Sequence, residues 1–122
     1  MTRILLVDDS DDVRRSVRAV LEAALAGVTI GEAASAGAAL AALARDEPWD
    51  LVLLDLSLPD QSGLAALREI RRLRPALAVI AMSFNPETEY AAAARAAGAV
   101  GYIAKGSAPE AIASAVTKAL MP

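Results

Sequence analysis

The sequence predicts an α/β fold in which a five-stranded parallel sheet is covered by helices on both faces. Two observations predict it. Short β-rich runs alternate five times with longer, alanine-rich runs of helical period, and the connections between them are short. The third β-rich run, 51–55 (LVLLD), is apolar at consecutive positions, which is typical of a central strand buried on both faces. The length of 122 residues fits one domain.

The first two strand–helix units are bounded by short polar signals. Strand 3–8 (RILLVD) precedes a helix that begins near Asp11, where apolar residues recur at helical spacing. Strand 28–33 comes next. Ser35 is a suitable N-cap for the second helix, which we expect Pro48 to end.

The third and fourth units follow strand 51–55. After the loop 56–62 (LSLPDQS), a helix is predicted over about 63–73. A proline separates it from the fourth strand, 77–82. Asn85-Pro86 then predicts the N-cap and first residue of the fourth helix.

The fifth unit begins with strand 100–104 (VGYIA). Ser107-x-x-Glu110 has the spacing of a capping box, in which the serine side chain would begin the last helix. Pro109 is tolerated in the first turn of such a helix. We expect this helix to run to about Leu120.

Polar residues follow the ends of the predicted strands, where the functional groups of parallel sheets gather. Asp8 and Asp9 end the first strand and Asp55 the third, while Ser83 and Lys105 follow the fourth and fifth. If the first and third strands are neighbours, three carboxylates converge, and a cation or a proton must offset their repulsion. Mg²⁺ suits such oxygen ligands. Ser83 and Lys105 could hold two oxygens of a phosphoryl group that Asp55 accepts as the nucleophile.

Composition narrows the chemistry further. Cysteine and histidine are absent, which excludes a Cys or His nucleophile, His metal ligands and any phosphohistidine on this chain. The net charge of −3 is unlike that of a DNA-binding domain, so we expect no direct nucleic-acid binding. No run resembles a signal peptide or a membrane helix, and we expect a cytoplasmic protein without membrane contact. Arg14 and Arg15 are expected on a solvated helix face.

Four segments together resemble the receiver domain of two-component response regulators. They are ILLVDDS (4–10), LVLLDLSLPDQSG (51–63), AMSFN (81–85) and GYIAK (101–105). The segments LSLPDQSG and GYIAKGSAPEAI look most like the subfamily whose receivers precede a helix-turn-helix DNA-binding domain. The resemblance covers the whole chain and implies a doubly wound, flavodoxin-like (βα)5 fold. We expect a single receiver domain over residues 1–122 with no output domain present, because nothing after Leu120 looks like one. The chain would then be either a single-domain regulator or the receiver of a longer protein.

By this resemblance, Asp55 would be the phosphoacceptor, taking a phosphoryl group from the phosphohistidine of a sensor histidine kinase or a phosphotransfer protein. Mg²⁺ would be the cofactor. Asp9 would bind it directly and Asp8 through a water, with Asp55 and the backbone carbonyl of Ser57 as further ligands. The chain would then be a signalling switch that catalyses only its own phosphorylation and dephosphorylation.

The same resemblance implies how the switch is read. Lys105 would pair with a phosphoryl oxygen, and Ser83 would hydrogen-bond the group and shift when it arrives. Tyr102 would change rotamer with Ser83. This change would alter the surface near the fourth helix, fifth strand and fifth helix, and so control a transcriptional output. A homodimer could form on phosphorylation.

Two residues depart from the family pattern. Gly106 stands where a proline is common, which puts the usual loop geometry in doubt, and Phe84 is bulky where a small residue is usual. Phe84 could crowd the route to Asp55 and slow phosphorylation or hydrolysis. These departures leave one alternative open, a receiver-like binding module that signals without phosphorylation. A haloacid-dehalogenase-type phosphatase is disfavoured because Ser57, two residues after Asp55, is not an aspartate. A flavodoxin-type flavin site is disfavoured because the acidic loop 8–12 would repel phosphate.

Overall fold

The computed structural model describes residues 2–84 and 89–121, which form a five-stranded sheet and five helices. The strands are β1 (Arg3–Val7), β2 (Thr29–Ala33), β3 (Leu51–Asp55), β4 (Ala78–Ser83) and β5 (Gly101–Ala104). The helices are α1 (Asp11–Ala24), α2 (Ala36–Ala44), α3 (Gly63–Leu73), α4 (Glu89–Ala96) and α5 (Pro109–Leu120). All neighbouring strands are parallel, in the order β2-β1-β3-β4-β5.

Two buried clusters lie on the two sides of the sheet because successive strand residues point to opposite faces. On one side, residues such as Leu5 and Val52 pack with α2, α3 and α4. On the other side, residues such as Ile4 and Leu53 pack with α1 and α5. The predicted doubly wound sheet with helices on both faces is therefore confirmed. β3 is buried along its whole length, as its uninterrupted apolar run predicts.

Serine side chains begin three of the helices. Ser10, Ser35 and Ser62 each accept a hydrogen bond from a backbone N–H three residues later, which satisfies a donor that the helix itself leaves unpaired. The prediction that Ser35 caps α2 is thus confirmed. Asn85 and Pro86, predicted to begin the fourth helix, lie outside the described residues.

The predicted capping box at the last helix is wrong. The N-cap of α5 is Ala108, without a side-chain hydrogen bond, and the Ser107 hydroxyl donates instead to the Ala104 carbonyl. This start places Pro109 at the first helical position, where its fixed φ suits the helix and no N–H is needed. A cap at Ser107 would have moved that proline one residue deeper into the helix.

Pro48 does not end α2 directly. The helix stops at Ala44, four residues earlier. Arg74, which follows α3, donates to the backbone carbonyls of Leu43 and Arg45. These bonds satisfy carbonyls that the end of α2 leaves unpaired. The end of α2 is therefore capped by a side chain distant in sequence and not set by the proline.

The single tryptophan, Trp49, lies just before β3, at the amino-terminal edge of the sheet. The Arg3 guanidinium stands 4.5 Å from the centroid of its ring, within the range of a cation–π contact. Gly31 on β2 leaves room for the ring, because a Cβ there would lie 2.6 Å from a Trp49 ring carbon. Among the described helices, none is long and apolar enough to span a membrane.

Candidate functional site

The carboxyl ends of the strands bring Asp8, Asp55 and Lys105 together. β1 and β3 are neighbours, with Val7 opposite Leu54, so Asp8 and Asp55 follow at adjacent positions. These two aspartates are 0% and 1% exposed, and the Lys105 side chain is 6% exposed. Charged side chains are rarely buried this deeply unless they are paired.

Lys105 supplies that pairing. Its Nζ lies 2.7 Å from Asp8 Oδ2 and 3.1 Å from Asp55 Oδ2. These contacts are ionic but lack hydrogen-bond geometry, so both carboxylate oxygens are buried without a hydrogen-bond partner among the described residues. One ammonium therefore faces two carboxylates, and the three groups together carry a net negative charge.

The other oxygen of each carboxylate is held by its own backbone. Asp8 Oδ1 accepts the Ser10 N–H at 2.9 Å, and Asp55 Oδ1 accepts the Ser57 N–H at 2.9 Å. This local bond, two residues ahead in the chain, is a common turn for aspartate. It fixes the orientation of both carboxylates and leaves Oδ2 of each directed to the shared site.

The ionisation of Asp55 and Lys105 reflects burial and their mutual contacts. Burial raises the pKa of Asp55, and this effect outweighs the opposing effects of the Ser57 N–H and Lys105. Burial disfavours the charge of Lys105, but Asp8 and Asp55 outweigh it and raise the pKa of the ammonium. Lys105 is therefore positively charged at neutral pH, beside a carboxylate that is poorly solvated.

Asp9 completes a group of three carboxylates. It is exposed, and one oxygen each from Asp8, Asp9 and Asp55 lie within 4.8 Å of one another. Two buried oxygens without hydrogen bonds and one exposed carboxylate fit a divalent cation that prefers oxygen ligands and retains water. The donor set is thus compatible with Mg²⁺. The ion would share the carboxylates of Asp8 and Asp55 with Lys105.

Arg14 supports the site through the backbone of Asp8. The prediction that it lies on a solvated helix face is wrong. Its side chain is 13% exposed. The guanidinium donates to the backbone carbonyl of Asp8 and also pairs with Asp11 and, at 2.9 Å, with Glu32 of β2. Arg15, with a 76% exposed side chain, does lie on a solvated face.

The loop after Asp55 is closed by a glycine. The Gly63 N–H donates to the Leu56 carbonyl at 3.1 Å, and a Cβ at Gly63 would lie 2.2 Å from Leu56 Cα. Ser57 forms a bridge with Ser62 across the same loop. The close contact holds the backbone around Ser57, whose carbonyl is a candidate metal ligand, against the start of α3.

Asp60 connects this loop to another helix. Its Oδ1 accepts the Ala36 N–H at 3.0 Å and its Oδ2 accepts the Gly37 N–H at 2.9 Å. The backbone donors of Gly37 and Ala36 lower the pKa of Asp60, as expected for a carboxylate at a helix N-terminus. The loop that follows the candidate acceptor is therefore tied to α2 as well as to α3.

Ser83 and Tyr102 lie on the face of the sheet that α2, α3 and α4 cover. Ser83 is the last residue of β4 and is 1% exposed. Ala81 is opposite Tyr102 and Ser83 opposite Ala104, so alternation puts Ser83 and Tyr102 on one face as diagonal neighbours. Tyr102 is partly buried against the cluster under α2, α3 and α4.

The two residues that depart from the family pattern flank Lys105. Gly106 has a φ of +88°, which a proline, fixed near −65°, cannot adopt. Phe84 is 71% exposed, and its ring centroid lies 5.0 Å from Lys105 Nζ. Beside them an apolar pocket of about 340 Å³ opens between α1 and α5, and Val17 and Ile112 contribute to its lining.

Comparison with known proteins decides the family. A model of the response regulator receiver domain matches residues 4–117. The chain belongs to this family. It is 36% identical over 116 residues to the response regulator UvrY of Escherichia coli (strain K12). The aligned region covers 95% of this chain and 53% of UvrY. It is also 36% identical over 117 residues to the transcriptional activator protein ExaE of Pseudomonas putida, covering 96% of this chain and 54% of ExaE.

The chain thus spans about half the length of the curated relatives it matches. A solved structure of comparable similarity is the LuxR-family two-component response regulator from Aurantimonas sp. SI85-9A1. It shares 35% identity with this receiver domain at a TM-score of 0.89, over 98% of this chain and 86% of that one. The predicted fold class and the resemblance to response regulator receivers are therefore confirmed.

Proposed function

We propose that this receiver domain is a phosphorylation switch in which Asp55 accepts a phosphoryl group from the phosphohistidine of a sensor kinase or a phosphotransfer protein. One observation carries the proposal. The buried Asp55 carboxylate lies 3.1 Å from the buried ammonium of Lys105, and the carboxylates of Asp8 and Asp9 lie beside it. A nucleophile, a counter-charge for a phosphoryl oxygen and a cation-binding set thus converge at one point.

The transfer would form a bond between a carboxylate oxygen of Asp55 and phosphorus. It would break the phosphorus–nitrogen bond of the donor, and the imidazole nitrogen would keep that electron pair. The Ser57 N–H orients the carboxylate for attack, and Lys105 would neutralise a phosphoryl oxygen. In dephosphorylation, the oxygen of a water molecule would bond to phosphorus and the bond between phosphorus and the Asp55 oxygen would break. Asp55 would leave as a carboxylate, and inorganic phosphate or solvent would take up the water proton. The domain would catalyse only these two reactions of its own side chain.

We include Mg²⁺ in the proposal because the donor set fits it. Asp8, Asp9 and Asp55 would hold the ion together with the backbone carbonyl of Ser57. When bound, Mg²⁺ supplies positive charge that offsets the charge of the phosphoryl oxygens. The local backbone bonds to Asp8 and Asp55 keep both carboxylates directed to the shared site before any ion arrives.

The output would be read through Ser83 and Tyr102. Ser83 closes β4 one residue beyond Met82, which is opposite Asp55, and Tyr102 is its diagonal neighbour on the edge strand β5. A hydrogen bond from Ser83 to a new phosphoryl group would therefore change the space available to Tyr102. We propose that this alters the α4–β5–α5 surface, where a homodimer could form.

The complete protein is proposed to regulate transcription. The support comes from its relatives, because ExaE is a transcriptional activator and the Aurantimonas protein is a LuxR-family response regulator. Within that protein, residues 1–122 would act as one receiver unit, and a helix-turn-helix domain would be the output.

Mass spectrometry of the intact protein tests the chemistry. With acetyl phosphate and Mg²⁺, the wild type should gain a single phosphoryl group of about 80 Da, and Asp55→Asn should gain none. Asp46→Asn, which removes an exposed carboxylate from the connection before β3, should be modified like the wild type. Omitting Mg²⁺, or replacing Asp9 by Asn, should slow the modification.

A folded wild type that remains unmodified would next be offered a phosphohistidine donor. Failure with both donors would refute the phosphoacceptor role of Asp55. It would favour the alternative of a receiver-like binding module that signals without phosphorylation. A phosphoryl group found on Asp55→Asn would place the acceptor at another residue.

A further inference from the structure

Phe84 makes a contact that core packing does not explain. Its side chain is 71% exposed, so it gains little from burial. Its ring centroid nevertheless lies 5.0 Å from the Nζ atom of Lys105, within the range in which an aromatic face attracts an ammonium. An exposed ring therefore lies against one of the most buried charges of the described chain.

The sheet itself sets this contact. Ser83 is opposite Ala104, and the Lys105 N–H donates to the Ser83 carbonyl at 2.7 Å. Phe84 and Lys105 consequently leave their two strands side by side. Met82, two residues before Phe84, and Ile103, two residues before Lys105, both belong to the cluster under α1 and α5, so alternation directs both side chains to that side of the sheet.

The surroundings of Lys105 show what the ring adds. Two carboxylates hold the ammonium at 2.7 and 3.1 Å, and the lysine side chain is only 6% exposed although the neighbouring ring is open to solvent. Gly106 follows with a φ of +88° and has no side chain, so the next residue offers no side-chain contact that could restrain the lysine. The flexible four-carbon stem of a lysine needs such restraint to hold one position.

We propose that Phe84 is a positioning residue for Lys105, whose ring keeps the ammonium over the Asp55 carboxylate. The consequence for phosphorylation rests on the proposed function, because Lys105 would meet a phosphoryl oxygen at this place. The contact itself does not rest on it. Leucine at this position would retain apolar bulk but not the aromatic face, whereas tyrosine would retain both.

Nuclear magnetic resonance tests the contact without phosphorylation. A ring over Nζ should shift the ε-methylene protons of Lys105 upfield in the wild type. Phe84→Leu should abolish this shift, and Phe84→Tyr should preserve it. Val100→Ala, which alters another exposed apolar residue (57% exposed), should leave the shift unchanged. An unshifted Lys105 in the wild type would overturn the proposal.

Kinetics test the consequence. At saturating Mg²⁺, the rate constant of modification by acetyl phosphate should fall about fivefold in Phe84→Leu, as expected for the loss of one cation–π contact. Phe84→Tyr and Val100→Ala should stay within twofold of the wild type. A Phe84→Leu rate within twofold of the wild type would overturn the positioning role, and so would a faster rate, which is the outcome expected if Phe84 instead crowds the route to Asp55. A wild type that takes no phosphoryl group would refute the proposed function instead, and the proton shift would still decide whether Phe84 holds Lys105.

Discussion

Gly63→Ala should destabilise the domain strongly although it creates a residue with higher helix propensity. The built Cβ lies 2.2 Å from Leu56 Cα and 2.8 Å from the Leu56 carbonyl carbon and oxygen. Ordinary carbon–carbon contacts are about 3.5 to 4.0 Å. The obstructing atoms are backbone, so they cannot rotate away as a flexible side chain could. The start of α3 must therefore separate from the loop that follows Asp55.

The magnitude follows from three effects. Overpacking costs about 1–3 kcal/mol, and weakening of the Gly63 N–H bond to the Leu56 carbonyl costs about 1 kcal/mol more. Alanine recovers less than about 1 kcal/mol in helix propensity. The net loss is about 1–3 kcal/mol. At about 2.1 cal/mol/K of unfolding entropy per residue, a chain of 122 residues should lose about 4–12 °C in melting temperature.

Gly37→Ala is the matched control. Gly37 also lies in the first turn of a helix, but its Cβ would contact only Asp60 Oδ2, at 3.4 Å. This variant gains the same propensity without the backbone clash, so its melting temperature should stay within about 3 °C of the wild type or exceed it. Circular dichroism at 222 nm during heating, without added metal, measures both. Equal melting temperatures for Gly63→Ala and Gly37→Ala would refute the argument from backbone crowding.

Three further predictions concern single side chains of the site and its loops. Gly106→Ala should lower the free energy of unfolding, measured in urea, by about 1–2 kcal/mol because the φ of +88° at this position strains any residue with a Cβ, even in open space. An unchanged urea midpoint would count against this. Lys105→Met should lower the free energy of unfolding at pH 7 by about 3–5 kcal/mol because two buried carboxylates lose the ammonium group that pairs with them. Adding Asp55→Asn should recover part of that loss, and a further decrease would contradict the assignment. Asp60 has a lowered pKa, so its stabilisation is present above its unfolded value of 3.8 and disappears as pH falls through the folded value. The stability difference between wild type and Asp60→Asn should therefore be present at pH 6 and should diminish as the pH falls below 3.8.

The sequence was sufficient for the sheet and for the residues that lie at the strand ends. β3 spans Leu51–Asp55, the range predicted from its apolar run and the aspartate that ends it, because a strand covered on both faces has a nearly continuous apolar sequence. Asp8, Asp55 and Lys105 could be expected together because parallel strands end at the same edge of a sheet. Local sequence patterns and the rule that parallel strands end at one edge are enough to predict both features.

Contacts between distant segments had no local signal. Arg14 is one of several charged residues on α1, and only the position of Glu32 on β2 and of the Asp8 carbonyl shows that it is held inward. Asp60 is an ordinary loop aspartate until α2, 24 residues earlier, presents two N–H groups to it. The Ser107 spacing matched a cap, in which the hydroxyl would accept a backbone N–H, but the hydroxyl instead donates to the Ala104 carbonyl in its own turn.

The position of Trp49 determines what intrinsic fluorescence can report. The ring lies just before β3, and Asp55 ends that strand, so about six residue steps of nearly extended chain, or roughly 20 Å, separate the fluorophore from the acidic site. Its surroundings are the Arg3 guanidinium and the Gly31 backbone rather than any group of that site. Emission should consequently follow loss of the folded sheet and stay silent during titration with Mg²⁺ or beryllofluoride. To detect ligand binding at the acidic site by fluorescence, a label must therefore be attached near Phe84. The native tryptophan then reports folding in the same sample as an internal reference.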